Sequence, residues 1–94
     1  MSAGVKLDAG KPRWTLMPWA SLCEVLAVLE YGAAKYAPDN WLHVPNPVDR
    51  YTNAALRHLT AWIQGERCDP ESGLSHLAHA ACCLLFLLHF DRQE

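Results

Sequence analysis

The sequence lacks every signature of the enzyme folds built on a parallel sheet. It has no GxxxxGK[ST] loop, no GxGxxG turn and no nucleophile elbow, which excludes P-loop, Rossmann and α/β-hydrolase readings. No internal repeat and no convincing strand is present. Long apolar runs are missing too: the longest purely aliphatic and aromatic stretch is Leu84–Leu88, far short of the roughly 20 residues of a membrane span. Met1 to Ser21 carries Lys6, Lys11 and Arg13 without an apolar h-region, so no signal peptide and a soluble chain away from membranes are expected. A formal charge of -2, with no basic run interleaved with aromatics, gives no pull toward nucleic acid. The four cysteines, Cys23, Cys68, Cys82 and Cys83, form no CxxC pair. They read as small buried thiols of a reducing cytoplasm rather than a disulfide framework.

What is present is apolar content: 94 residues, 51% hydrophobic, with four Trp. That length makes one domain, 1–94, with little interior in which to hide such a surface. The expected fold is all-α, three helices that complete a helical bundle by homo-oligomerisation, as a dimer or higher. Residues 1–17 mix Gly, Pro and charge with no helical period and read as an N-terminal arm. In it Lys11 and Arg13 flank Pro12 beside the flexible Gly10, a pattern suited to phosphate contact or to plain solvation.

Helix one is expected from Pro18 or Ser21 to about Tyr36. Ser21 and Glu24 offer a capping box, and Leu22, Val25, Leu26, Leu29 and Ala33 offer the core stripe. Glu24, Tyr31 and Lys35 lie opposite, with Glu30 between the faces. Pro38 ends the helix, because the residue before a proline is pushed out of helical dihedrals. Asn40 and Trp41 then sit on a loop, able to hydrogen-bond and stack on a base or to anchor the loop to the core. Asn46-Pro47-Val48-Asp49 opens helix two as N-cap, first-turn proline and first-turn acid. Tyr51, Ala55, Leu59 and Trp62 share its apolar stripe, with Leu56 and Ile63 at the margin.

The stretch Arg57 to Ala80 holds three of the five histidines and an acidic turn, Gly65 to Gly73. In that turn Asp69 reads as an N-cap and Pro70 as the first residue of helix three. On helix three His76, His79, Cys83, Phe86 and Phe90 share one side, and Leu77, Ala81, Leu84 and Leu88 another. An imidazole pair at i, i+3 can ligate a metal, with His58 from the antiparallel neighbour and Asp69 or Glu71 completing the set. The alternative is that these rings are helix residues hydrogen-bonded to backbone or neighbours. Both readings stay open at this point.

Taken together, Lys11-Pro12-Arg13, the run Glu30 to Tyr36 with Asn40-Trp41, Arg57-His58, Ala61-Trp62, Gly65-Glu66, Asp69 to Leu74 and His76 to Ala80 resemble the phage dATP/dGTP diphosphohydrolase N-terminal family, grouped with the MazG-like all-α NTP pyrophosphatases. The resemblance covers nearly the whole chain in order. It implies an oligomeric helical bundle in the host cytoplasm that binds Mg²⁺, or Mn²⁺, and a purine deoxynucleoside triphosphate, releasing monophosphate and pyrophosphate. The wider superfamily holds metal with E-E-x-x-E on one helix and E-x-x-D on the next. Here Arg57, His58 and Ala61 stand where the first pattern would fall, and His76 and His79 where the second would. The resemblance therefore implies Glu30, Asp69 and Glu71 as oxygen ligands with His76 and His79 as additional metal ligands, and Glu24 as a further oxygen source. It also implies Glu30, His58 and Glu71 as catalytic groups, and Lys11, Arg13, Lys35, Asn40, Trp41 and Arg57 as substrate contacts. The alternative is a phage protein that captures a nucleotide or cyclic nucleotide signal at a subunit interface without turnover.

Overall fold

The structure is a computed structural model and describes residues 3–93. Three α-helices follow one another: α1 (Trp19–Lys35), α2 (Pro47–Ile63) and α3 (His76–Asp91). Short 3₁₀ turns occupy Trp14–Leu16 and Asn40–His43, and no strand forms among the described residues beyond one isolated antiparallel bridge, Cys68 to Ser75. The fold is all-α. No helix is long and apolar enough to cross a membrane.

Helix α3 lies between the other two, packed along α2 and less extensively on α1. That place suits a helix apolar on nearly every side, and its small residues allow close approach. Ala78 and Cys82 meet Val25 and Val28 of α1, with Leu29, Leu74, Ala81 and Phe86 around them. Within α1 the buried pair is Val25 and Val28, whereas Leu26 is 51% exposed. The expected stripe therefore keeps Leu22, Val25, Leu29 and Ala33 at least partly buried but has Val28 in place of Leu26, because several faces of α1 are apolar and only contact with α3 selects one. On α2 the expected stripe is also incompletely covered: Leu56, Leu59, Trp62 and Ile63 are all exposed.

The helix ends account for the loops. Helix α1 starts at Trp19 with Pro18 as its N-cap, so Ser21 lies inside the first turn and makes no capping box. Asn46 stands at the α2 N-cap with Pro47 in the first turn, though its side chain makes no capping bond. Asp39 and Asn46 both adopt left-handed backbone (φ 63° and 53°), which short polar side chains tolerate, and they bracket the Asn40–His43 turn. Helix α2 ends in a Schellman motif: the Glu66 amide donates to the Ala61 carbonyl and the Gly65 amide to the Trp62 carbonyl, with Gly65 at φ 101°.

The start of α3 corrects the expectation for Asp69 and Pro70. The N-cap is Ser75, whose hydroxyl accepts from the amides of Leu77 and Ala78. Asp69 caps a tighter turn, accepting from the Glu71 amide and the Ser72 hydroxyl, and Gly73 at φ 72° redirects the chain before a helix can begin. An Asp-Pro pair serves either use equally well.

All four cysteines are free, as expected, but only Cys82 and Cys83 are buried; Cys23 on the open side of α1 and Cys68 in the turn are exposed, contrary to the expectation. Burial pushes the Cys82 thiol up to about 12 and raises that of Cys83 as well, so neither forms a thiolate near neutrality. Brief treatment of the native chain with iodoacetamide should modify Cys23 and Cys68 and spare the pair on α3, which peptide mass mapping reads directly. Equal labelling of all four would contradict this packing.

Candidate functional site

One cleft of about 980 Å³ gathers residues from every element after the arm. Helix α1 contributes Glu30, Tyr31 and Lys35; the Asn40–His43 turn contributes Asn40 and Trp41; α2 contributes Arg50, Tyr51, Arg57 and His58; the α2–α3 turn contributes Asp69 and Glu71; and α3 contributes His76 and His79. Ten of the residues singled out from the sequence therefore share a wall. Lys11 and Arg13 do not: they sit on the exposed arm, outside the cleft. Glu24, on the exposed side of α1, also lies outside it.

Three imidazoles stand at the polar end. His58 and His79 stack with ring centroids 4.4 Å apart and planes within 9°. His58 Nδ1 lies 2.9 Å from His76 Nδ1, and His76 Nε2 lies 2.6 Å from Glu66 Oε1. His76 is thus buried with both ring nitrogens engaged, and no lone pair on it is free for a metal. His79 Nε2 is 2.7 Å from the Ser72 hydroxyl and 3.6 Å from Asp69 Oδ2. Among the described residues, no group of three His, Cys, Asp or Glu side chains converges as a metal site.

A second set of contacts joins α1 to the α2–α3 turn. Lys35 Nζ and the Tyr31 hydroxyl both donate to Glu71 Oε1. The Lys35 bond holds the Glu71 carboxyl below its usual range, and the same bond raises Lys35. Asp69 is lowered as well: burial opposes its charge, but the Glu71 amide, His79 and Ser72 together outweigh that cost. Tyr31 is raised, chiefly by burial and then by Glu71.

Trp41 closes the aromatic end. Its indole stacks on Phe86 at 4.4 Å and 11°, edge-on to His89 and Phe90, and its carbonyl accepts from the Tyr51 hydroxyl. It anchors the 3₁₀ turn to α3 while still contributing to the cleft wall. Seven residues along α3 separate His79 from Phe86, so the polar and aromatic ends lie about 10 Å apart.

Three contributors that the sequence reading gave no site role are Glu66, Ser72 and Tyr31. Glu66 and Ser72 had a usable signal, since a buried imidazole needs partners for both nitrogens and the connecting turn is the nearest source. Tyr31 had none, because its bond to Glu71 depends on how α1 docks.

Burial holds His58 below its ordinary pKa of 6.5, with His79 and His76 adding repulsion; burial also lowers His79, against the opposing pull of Asp69. Between the folded and unfolded values the unfolded chain binds more protons, so stability rises with pH there. This stability is complete above the unfolded value of about 6.5 and declines as pH falls below it. The carboxylates do not enter this window, since Asp69 and Glu71 are shifted down. Melting temperature should drop between about pH 7.5 and about pH 5.5, with a flatter profile in His58→Asn and His79→Asn. A melting temperature that rises on acidification would contradict the assignment.

Fold and cleft define a small helical domain with a histidine and carboxylate site beside an aromatic wall. The chain belongs to the family described as dATP/dGTP diphosphohydrolase, N-terminal, whose profile matches residues 1–94. A protein of Salmonella phage PMBT28 named dATP/dGTP diphosphohydrolase is 36% identical over 84 residues, covering 89% of this chain and 28% of that relative. The chain thus spans less than a third of the relative's length. No solved structure matches.

Proposed function

We propose that the cleft binds a purine deoxynucleoside triphosphate and hydrolyses it to the monophosphate and pyrophosphate. The observation that carries this reading is the division of one cleft into a polar end, with Lys35, Arg57, three imidazoles and two turn carboxylates, and an aromatic end at Trp41 and Tyr51. Its volume of about 980 Å³ is at the upper end of small-molecule sites. Phosphates fit the cationic end, where Lys35 and Arg57 offset their charge, and a base fits between ring and amide at Trp41 and Asn40. His58, neutral at physiological pH, accepts a proton from the attacking water.

The family implies a divalent ion. Mg²⁺ takes one or two carboxylates and fills its remaining positions with water and substrate phosphates, so Asp69 and Glu71 on one turn, with Glu30 across the cleft, have suitable chemistry without a complete protein cage. In this reading Asp69 and Glu71 would hold Mg²⁺ or Mn²⁺ together with the substrate phosphates, and Glu30 and His79 share the cleft with them. When bound, the ion neutralises charge on the phosphate oxygens. Engaged on both sides, His76 is not among the ligands.

The reading extends to assembly as a homo-oligomer. The chain exposes 7421 Å², about 2,000 Å² more than a compact monomer of 10.5 kDa; the exposed arm contributes to that excess, and so do large apolar side chains on the helices, Leu56, Ile63, Leu84 and Leu88 among them. Val48, Leu84, Leu85, Leu87, Leu88 and Asp91 line a largely apolar groove of about 520 Å³ between α2 and α3, with Leu84, Leu85 and Leu88 exposed. A second copy is the occupant this reading assigns to that face.

Non-catalytic capture of a nucleotide or cyclic nucleotide is the second reading. It is favoured by the lack of three converging metal donors among the described residues, together with the 28% coverage of the phage relative. Incubating pure protein with dATP, dGTP and cyclic purine nucleotides plus Mg²⁺ or Mn²⁺, then separating bound and converted species, distinguishes the two. Conversion supports the enzyme, and bound but unchanged nucleotide supports capture.

Binding should weaken as salt rises. Lys35→Ala and Arg57→Ala should each cost about 1.5–3 kcal/mol in calorimetry, the usual worth of a hydrogen bond to a charged group. Affinity unchanged in both variants would place the phosphates elsewhere.

A further inference from the structure

We infer that Glu66 acts through His76 to hold His58 in its Nδ1–H tautomer, so that His58 presents an unprotonated Nε2 to the cleft. The argument follows the hydrogen bonds outward from the carboxylate. An ionised carboxylate only accepts, so the 2.6 Å contact between Glu66 Oε1 and His76 Nε2 requires the proton on Nε2. With a neutral His76, that proton is its only N–H, which makes His76 Nδ1 an acceptor. The 2.9 Å contact between the two Nδ1 atoms then requires His58 to donate from Nδ1. Its remaining nitrogen, Nε2, carries the lone pair and makes no hydrogen bond among the described residues.

The fold makes this chain of bonds rigid at its hidden member. His76 is 5% exposed, and its backbone amide is tied to the Arg67 carbonyl beside the Cys68–Ser75 bridge. Glu66 is delivered by the Schellman end of α2, directly after the left-handed Gly65. None of these groups beyond His58 meets the substrate in the proposed reaction. Glu66 and His76 are positioning residues, and a metal is not required for what they do.

The consequence for chemistry rests on the hydrolytic reading. Water gives a proton to His58 Nε2 as its oxygen bonds the α-phosphorus. The bond from that phosphorus to the bridging oxygen breaks, and pyrophosphate leaves with the electron pair. The imidazolium then returns its proton to solvent. With the opposite tautomer, Nε2 carries a proton and cannot accept another.

The test is nitrogen-15 NMR of the histidine rings in the full chain, with each ring assigned by single substitution. The expected result is His58 as Nδ1–H and His76 as Nε2–H in the unsubstituted protein, and loss of the His58 preference in Glu66→Ala. If Glu66→Ala does not fold, Glu66→Gln keeps the shape, and its amide, able to donate or accept, should give mixed tautomers. Paired kinetics should show kcat reduced about 10–100-fold with KM little changed, and recovery in Glu66→Asp. His58 found as Nε2–H, or a tautomer unaffected by removing Glu66, overturns the inference. The expected tautomers in a protein that converts no nucleotide would uphold the inference and overturn the hydrolytic reading alone.

Discussion

If the proposed homo-oligomer forms, replacing Leu84 by Asp should convert it into a species of the 10.5 kDa chain mass, as read by light scattering at low micromolar concentration. Leu84 is 59% exposed and Leu88 60% on the single chain, so a charge there costs the isolated fold little. In a covered interface the same carboxylate would be buried without a partner, which destabilises association by about 3 kcal/mol or more per copy. Helical content should survive the substitution, separating lost assembly from lost folding. An unsubstituted chain that scatters as a monomer would contradict the assignment of this face.

Glu71→Gln should abolish turnover while leaving the helices intact. The substitution keeps the shape of an exposed side chain and removes the charge that Lys35 and Tyr31 now hold. If this carboxylate helps hold the ion, its neutralisation removes several kcal/mol of transition-state stabilisation, on the order of a thousandfold in kcat. Glu30→Gln, across the cleft on α1, should act in the same direction. Turnover within about twofold of the unsubstituted protein in both variants would remove these carboxylates from the mechanism.

Much of the fold was legible before any coordinates. Proline placement and the 3.6-residue period located α1 and α2 closely, because Pro38 and Asn46-Pro47 act through local sterics that hold in any context. The start of α3 was not legible. Asp69-Pro70 carries the chemistry of a helix start, and only the turn geometry around Ser72 and Gly73 shows that Ser75 is the cap. Which face of α1 is buried was also hidden, since Leu26 and Val28 are equally apolar and docking on α3 alone separates them.

The cleft was legible in outline for a different reason. His58, His76 and His79 sit on adjacent antiparallel helices, so once the connection from Gln64 to Ser75 pairs α2 with α3, helical spacing brings them together. What each nitrogen bonds was not legible, because that depends on Glu66 and Ser72 being aimed back by the turn. Lys11 and Arg13 were expected at the substrate from the resemblance and from their charge, with plain solvation as the alternative. No local pattern encodes where an arm lies relative to a core, and here it lies outside the cleft.

Phosphorus NMR of dATP or dGTP incubated with the pure chain and Mg²⁺ tests the proposed reaction most directly, because it reports which bond is cut. Hydrolysis at the α-phosphorus predicts paired growth of monophosphate and pyrophosphate signals as the triphosphate signals decline. Triphosphate signals that persist through long incubation with Mg²⁺ or Mn²⁺, in a protein shown by calorimetry to bind the nucleotide, would contradict it.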